Sequence, residues 1–190
     1  MKTDKRVAGF MLEIELKVRV FPLDPVRKQL IEHNAQFCGR VHEHDVYYNA
    51  PYRDFSVTDE AVRVRYTNDH AVVTYKGAKI KTSGLKAREE LNIAVDSGEI
   101  FEKMLDRLGF SKTAELNKWR ENYRLGDASI SLDTVDELGT FVEIEVMADK
   151  DDAKVSAHIE KISKEISIQG EPILTSYLEM LLSKRSAIQP

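Results

Sequence analysis

Met11-Leu12-Glu13-Ile14-Glu15-Leu16-Lys17-Val18-Arg19-Val20 alternates apolar and charged residues without a break. That is the pattern of a strand with one face on an apolar core. Its other face reads Glu13, Glu15, Lys17 and Arg19, with no Ser, Thr or Asn among them. One such strand fits an ordinary solvated face, so the fold turns on whether the pattern recurs.

It recurs throughout. Strands are expected at 39–48, 61–67, 71–77, 86–95, 117–125, 128–134 and 140–147. Asn68-Asp69-His70 reads as one hairpin connection and Gly126-Asp127 as another. On alternate positions they carry Arg63 and Arg65; Thr74 and Lys76; Lys86, Arg88, Glu90 and Asn92; Lys118, Arg120, Asn122 and Arg124; Ser131 and Asp133; Glu143 and Glu145. The opposite positions are mostly Val, Ile, Leu, Tyr and Trp. Helices are expected after Leu23-Asp24-Pro25, with Asp24 as N-cap, then over 98–108, capped by Asp96 or Ser97, and over 151–167 and 174–184. Ile100, Phe101, Met104, Leu105 and Leu108 share one face of the second. Residues 51–60 read as a polar loop with a Tyr52/Phe55 anchor. With no β-α-β rhythm, the expected architecture is α+β: an eight-stranded antiparallel β-barrel with helices packed outside.

The 190 residues suit a single domain, 1–190, with a proper core. A net charge of −4 weighs against a general nucleic-acid binder, so no nucleic-acid partner is expected. Cys38 is the only cysteine, which leaves no intrachain disulfide and no cysteine metal site. Residues 1–10 lack the apolar stretch of a signal peptide, and no run approaches a membrane span; a cytoplasmic protein without a membrane partner is the expectation. A homodimer stays open.

Strand by strand, a solvated charged face explains these residues. Taken together it explains them less well, because surface strands usually carry more Thr, Ser and Gln. If the charged face lines a closed barrel instead, charges of both signs must be paired or matched to a ligand. A polyanion carrying Mg²⁺ or Mn²⁺ suits such a lining: Arg and Lys bind phosphate oxygens, and carboxylates hold the hard cation. Residues i and i+2 on one strand face lie about 7 Å apart, a spacing that serves neighbouring metals and the phosphate between them.

Glu13-x-Glu15-x-Lys17 resembles the ExExK signature of the CYTH family, which includes class IV (CyaB-type) adenylyl cyclases and thiamine triphosphatases. Further segments fall in the family's order: Asp45-Val46-Tyr47-Tyr48, Arg63-Val64-Arg65, Thr74-Tyr75-Lys76-Gly77, Arg88-Glu89-Glu90, Lys118-Trp119-Arg120, Leu138 through Glu145, and Ser176-Tyr177. The resemblance implies a triphosphate tunnel and a triphosphate substrate, ATP or tripolyphosphate. It implies metal-side carboxylates at Glu13, Glu15, Asp133, Glu143 and Glu145, with Glu90 joining them. It implies a phosphate track of Lys17, Arg63, Arg65, Lys76, Arg88, Lys118 and Arg120, with catalytic roles for Glu13, Glu15, Lys17 and Arg120. Asn92 stands where many relatives carry an acid, which puts a second metal site in doubt. Asp45 reads equally as a tunnel carboxylate or as an arginine's structural partner.

Other motifs have plainer readings. His42 and His44 share one strand face opposite Glu43 and lack a third ligand, which favours a surface or packing role over a metal. Lys76, Lys79, Lys81 and Lys86 read either as a nucleic-acid patch or as a loop closing over phosphates. Met180-Leu181-Leu182 reads as a core-facing helix.

Overall fold

The structure is a computed structural model and describes residues 12–68, 70–81, 85–148 and 153–188; for Lys81, Lys86 and Ile188 only the backbone is described. Met11 of the opening stretch, residues 82–84 of the Lys-rich loop and the first two positions of the 151–167 helix lie outside these residues.

Eight antiparallel staves close into a barrel. In chain order the strands are β1 (Leu12–Arg19), β2 (Gln36–Asn49), β3 (Ala61–Thr67), β4 (His70–Lys76), β5 (Ile80–Lys81), β6 (Lys86–Val95), β7 (Ser111–Leu125), β8 (Ala128–Val135) and β9 (Gly139–Ala148). The spatial order β1-β9-β8-β7-β2-β3-β4-β6 is closed by β1 pairing with β6, Leu12 opposite Glu89 and Glu15 opposite Lys86. The short β5, which alternation does not reveal, pairs with the start of β6 and prolongs the β4 stave. Strands β2 and β7 outrun their expected ranges and pair along 13 register positions between Gln36–Arg124 and Asn49–Ser111. Leu125 and Ala128 face each other across a two-residue turn in which Gly126 has φ +61°, left-handed geometry that glycine takes without Cβ strain.

Most of the apolar core lies outside the barrel. The outward residues of β1, β8 and β9 (Ile14, Ile130 and Ile144, all fully buried) pack under α1 (Asp24–Glu32) and α4 (Ala153–Glu165), which contribute Leu30 and Ile159. Each such side chain contributes roughly 1.5–3 kcal/mol on burial, so this belt offsets the cost of charges held inside. On the far side, α3 (Gly98–Arg107) covers Val46, Val64 and Val73 with Leu105 and Phe101. A third cluster fills the barrel interior at the end where β2 finishes and β3 begins. There Tyr177 and Leu181 of α5 (Tyr177–Ile188) meet Tyr47, Ala61, Val135 and Phe141. Among the described residues no helix is long and apolar enough to cross a membrane.

Three local expectations change. The α1 cap is Leu23, without a side-chain cap bond, and Asp24 instead sits in the first turn paired with Arg27. Tyr52 is 73% exposed, so Phe55 alone anchors the short α2 (Phe55–Thr58), with Asp54 as its cap. Of the apolar stripe on α3, Ile100, Met104 and Leu108 remain exposed, because the convex barrel meets only a narrow strip of the helix. Ser97, not Asp96, caps α3 through Ile100 N.

Candidate active site

Closure turns the alternate charged positions inward and makes one lumen of them. Its cavity is about 310 Å³, and its walls include Glu13, Glu15 and Lys17 from β1, Arg63 and Arg65 from β3, Lys76 from β4, Arg88 and Glu90 from β6, Lys118 and Arg120 from β7, and Glu143 and Glu145 from β9. These come from six strands that lie far apart in sequence. Asp133 is the one residue of the expected set that does not line the cavity. It is fully buried behind the wall, where it accepts from Arg120 Nε (2.7 Å) and Nη2 (2.6 Å), Lys118 Nζ (3.3 Å) and the Tyr177 hydroxyl (3.0 Å). Register explains this: Asp133 faces Arg120 directly across the β7–β8 ladder.

The cations fall into two groups. Most are held by carboxylates. Lys17 Nζ lies 2.8 Å from Glu15 and 3.1 Å from Glu143. Burial opposes its charge, but these two neighbours outweigh it and hold the lysine above its ordinary pKa. Arg120 also pairs with Glu143, and Lys76 with Glu90. Arg65 forks onto Asp45 at 2.6 and 2.8 Å. Burial alone would raise Asp45, yet Arg63 and Arg65 beside it hold its carboxyl well below the usual range. Asp45 is thus an arginine's partner behind the wall rather than a lumen ligand.

The second group, Arg63 and Arg88, has looser carboxylate contacts: Arg63 Nη1 lies 3.7 Å from Asp45 and Arg88 Nη2 lies 3.4 Å from Asp59. Arg63 donates to Thr74 (3.0 Å), and Arg88 donates to the Asp59 backbone oxygen (3.0 Å). In each, the buried Nε has no hydrogen-bond partner among the described residues. A buried N–H without an acceptor costs about 1–3 kcal/mol, more on a charged group. Both guanidinium groups line the lumen, so an anion there would supply the missing acceptor.

The carboxylates at Glu13, Glu15 and Glu145 offer one oxygen each, all within 4.8 Å of one another. Two oxygens bound to one small divalent ion stand about 3–4 Å apart, so slight closure brings the three onto a shared cation. The donor set is all carboxylate oxygen, which suits a hard cation such as Mg²⁺ or Mn²⁺. Burial first, then the Glu13 charge, pushes the Glu145 carboxyl up to about 8. Mutual repulsion of this kind is what a bound cation relieves, and the residues fit the ion. The oxygen of Asn92 accepts the Thr74 hydroxyl at 2.7 Å, so that position adds no charge to the set.

A pH dependence follows. Without metal, the folded protein keeps a proton on Glu145 that the unfolded chain loses near pH 4.5, so this group's contribution to stability declines as pH rises from about 4.5 to about 8. A cation bound by this cluster would have to displace that proton. Mg²⁺ affinity is therefore expected to rise by up to about tenfold per pH unit below 8. Calorimetry in buffers of different ionisation enthalpy should register proton release at pH 6.5 and little at pH 9. Proton release that persists undiminished in Glu145→Gln would sink this assignment.

Two contributors escaped the sequence reading. Glu43 points inward with Asp45 and Tyr47, while His42 and His44 lie on the outer face beside Trp119 and Tyr66. Carrying the alternation of β2 back from Asp45 would have found it. Tyr177 stacks its ring 4.4 Å from Lys17 Nζ and 5.2 Å from Lys118 Nζ. Being helical, it leaves no trace in strand alternation.

A closed antiparallel barrel with a lumen of paired carboxylates and cations is the triphosphate tunnel fold. The CYTH domain profile matches residues 11–175, and the chain belongs to the CYTH family. It is 35% identical over 175 residues to a Methanocaldococcus jannaschii protein named "Putative adenylate cyclase MJ0240", covering 90% of this chain and 98% of the other. The structure of the PH1819 protein from Pyrococcus horikoshii superposes with a TM-score of 0.78 at 35% identity, covering 91% of this chain and 99% of that one. A Hippeastrum protein, HpAC1, described as an adenylyl cyclase candidate with dominant triphosphatase activity, shares the fold. Its TM-score is 0.70 at 19% identity over 90% of this chain and 96% of its own.

Proposed function

We propose that this protein is a metal-dependent enzyme acting on nucleoside triphosphates, of the class IV adenylate cyclase type, converting ATP to cyclic AMP and pyrophosphate. The observation that carries the reading is one lumen in which three clustered carboxylates face two buried guanidinium groups, each with an unused N–H. Glu13, Glu15 and Glu145 would hold Mg²⁺ or Mn²⁺, with Glu143 and Glu90 at the edge of the set. When bound, the ion supplies Lewis-acid polarisation of a phosphoryl oxygen. Arg63 and Arg88 donate to phosphate oxygens and fix the chain of phosphates. Lys17, Arg65, Lys118 and Arg120 offset the charge that grows on the leaving pyrophosphate as the ribose 3′-hydroxyl loses its proton to solvent, its oxygen bonds to the α-phosphorus and the α–β bridge breaks. Their carboxylate partners hold them in place beforehand, so little reorganisation accompanies the step.

A side cavity beside the lumen is the candidate place for part of a base. It measures about 140 Å³, shares Ala61, Arg88, Ser176 and Leu178 with the lumen and adds Phe55 and Leu182. An apolar space of about 150 Å³ accommodates one aromatic ring, which supports an organic triphosphate over an inorganic one. The second reading is a triphosphatase in which water attacks the terminal phosphate. It is favoured by a lumen whose ionic set is complete without any contact to a base, and by the activity described for HpAC1. A non-catalytic polyphosphate binder would need the cations but not five lumen carboxylates.

Chromatographic product analysis tests these readings, with ATP and tripolyphosphate incubated separately with Mg²⁺ or Mn²⁺ at neutral and alkaline pH. Cyclic AMP with pyrophosphate is the expected result from ATP. Orthophosphate from tripolyphosphate without cyclic AMP would move the function to the triphosphatase.

A further inference from the structure

We infer that Glu43, acting through the charges of Arg65 and Lys118, stands behind the phosphate track and limits how tightly the lumen holds its anion. The inference rests on the triphosphate reading of the lumen and extends it to affinity.

Glu43 lies on β2 between two cation-bearing staves, with Lys118 directly opposite it on β7 and Arg65 on the β3 side. Its Oε2 is 2.8 Å from Arg65 Nη1 and 3.2 Å from Lys118 Nζ, and its side chain is almost wholly buried. Burial works against its charge, but Lys118, Arg120 and Arg65 outweigh it and keep the carboxyl ionised. Lys118 and Arg65 both line the cavity, whereas Glu43 does not. The carboxylate therefore touches the two cations without itself lining the lumen.

Neither cation depends on Glu43 for its place. Arg65 keeps its two bonds to Asp45, and Lys118 keeps Asp133 at 3.3 Å. What Glu43 alone adds is a unit of negative charge shared by both, and a bridge between the Asp45–Arg65 pair and the group Asp133, Lys118 and Arg120. Cations so partnered present a weaker field to the lumen than free ones would. Without Glu43 an anion meets two cations less well neutralised. At an effective dielectric constant of about 20, one charge within about 10 Å of an anion changes its affinity by about tenfold. A lumen that binds pyrophosphate or triphosphate too firmly would release its product slowly, and Glu43 counters this.

The test is the dissociation constant of tripolyphosphate, by calorimetry in the presence of a chelator so that no turnover occurs. The expected result is that Glu43→Gln binds about tenfold more tightly than the wild type. A merely structural role predicts the reverse, since loosened cations hold an anion less well. Equal or weaker binding by a cooperatively folding Glu43→Gln overturns the inference. Should that variant fail to fold, Glu43→Asp keeps the charge but withdraws it by one methylene. Tighter binding there, by about threefold, supports the inference, and equal or weaker binding overturns it. Failure of the wild type to bind tripolyphosphate at all would overturn the triphosphate reading and this inference together, whereas wild-type binding that the variants do not tighten overturns only the role of Glu43.

Discussion

Replacing Glu13 and Glu15 together by Gln is expected to lower metal-dependent turnover, of ATP or of tripolyphosphate, by at least about 10³-fold. The two side chains leave β1 on the same face, and with Glu145 they supply the clustered oxygens proposed to hold the cation. Gln keeps the shape of the site but removes the charge that makes it a cation site. Folding should survive. Lys17 loses Glu15 at 2.8 Å but keeps Glu143 at 3.1 Å, and the repulsion that raises Glu145 is relieved. Metal-free tripolyphosphate should bind at least as well as before, because the lumen has shed two negative charges. Steady-state kinetics and metal titration of the double variant check this. Unchanged turnover would remove these residues from the catalytic assignment.

The second large effect is on stability. Asp133→Ala is expected to cost about 3–5 kcal/mol, because it leaves Arg120 and Lys118 buried with part of their counter-charge gone and Tyr177 without its acceptor. For a chain of this length, that corresponds to a fall in Tm of roughly 6–20 °C. Lys118 retains Glu43 and Arg120 retains Glu143, so neither cation is left isolated and the fold should survive the loss. Metal affinity should change little, since Asp133 stands behind the wall. Thermal unfolding and metal titration of Asp133→Ala and Asp133→Asn separate the two roles. An Asn variant that melts with the wild type but no longer binds metal would return Asp133 to the ligand set.

That contrast marks how far the strand pattern reaches. Alternation assigns Glu13, Glu15, Lys17, Arg63, Arg65, Arg88, Lys118, Arg120, Glu143 and Glu145 to one face, and these line the lumen, whereas Arg19, Thr74, Asn122, Arg124 and Ser131 on the same face do not. It works because a strand's side chains have a period of two, so a single buried face fixes the phase for the whole strand. Asp133 obeys the same rule and points to the same side. Its depth depends on which residues reach over it, and that is set by register with β7 and by the arrival of Tyr177 from a helix 44 residues later.

The sequence by itself determined the strand count of the closed barrel, the sidedness of each strand and the chemistry of the inward face. These are local properties, written in spacing and residue type. Only the tertiary structure decided which carboxylates cluster together and which stand behind cations, as Glu43, Asp45 and Asp133 do. It alone decided that Arg63 and Arg88 keep an unused N–H, and that α5 closes one end of the barrel. Those are properties of distances between strands, and closure of the sheet sets such distances through contacts that no single segment contains.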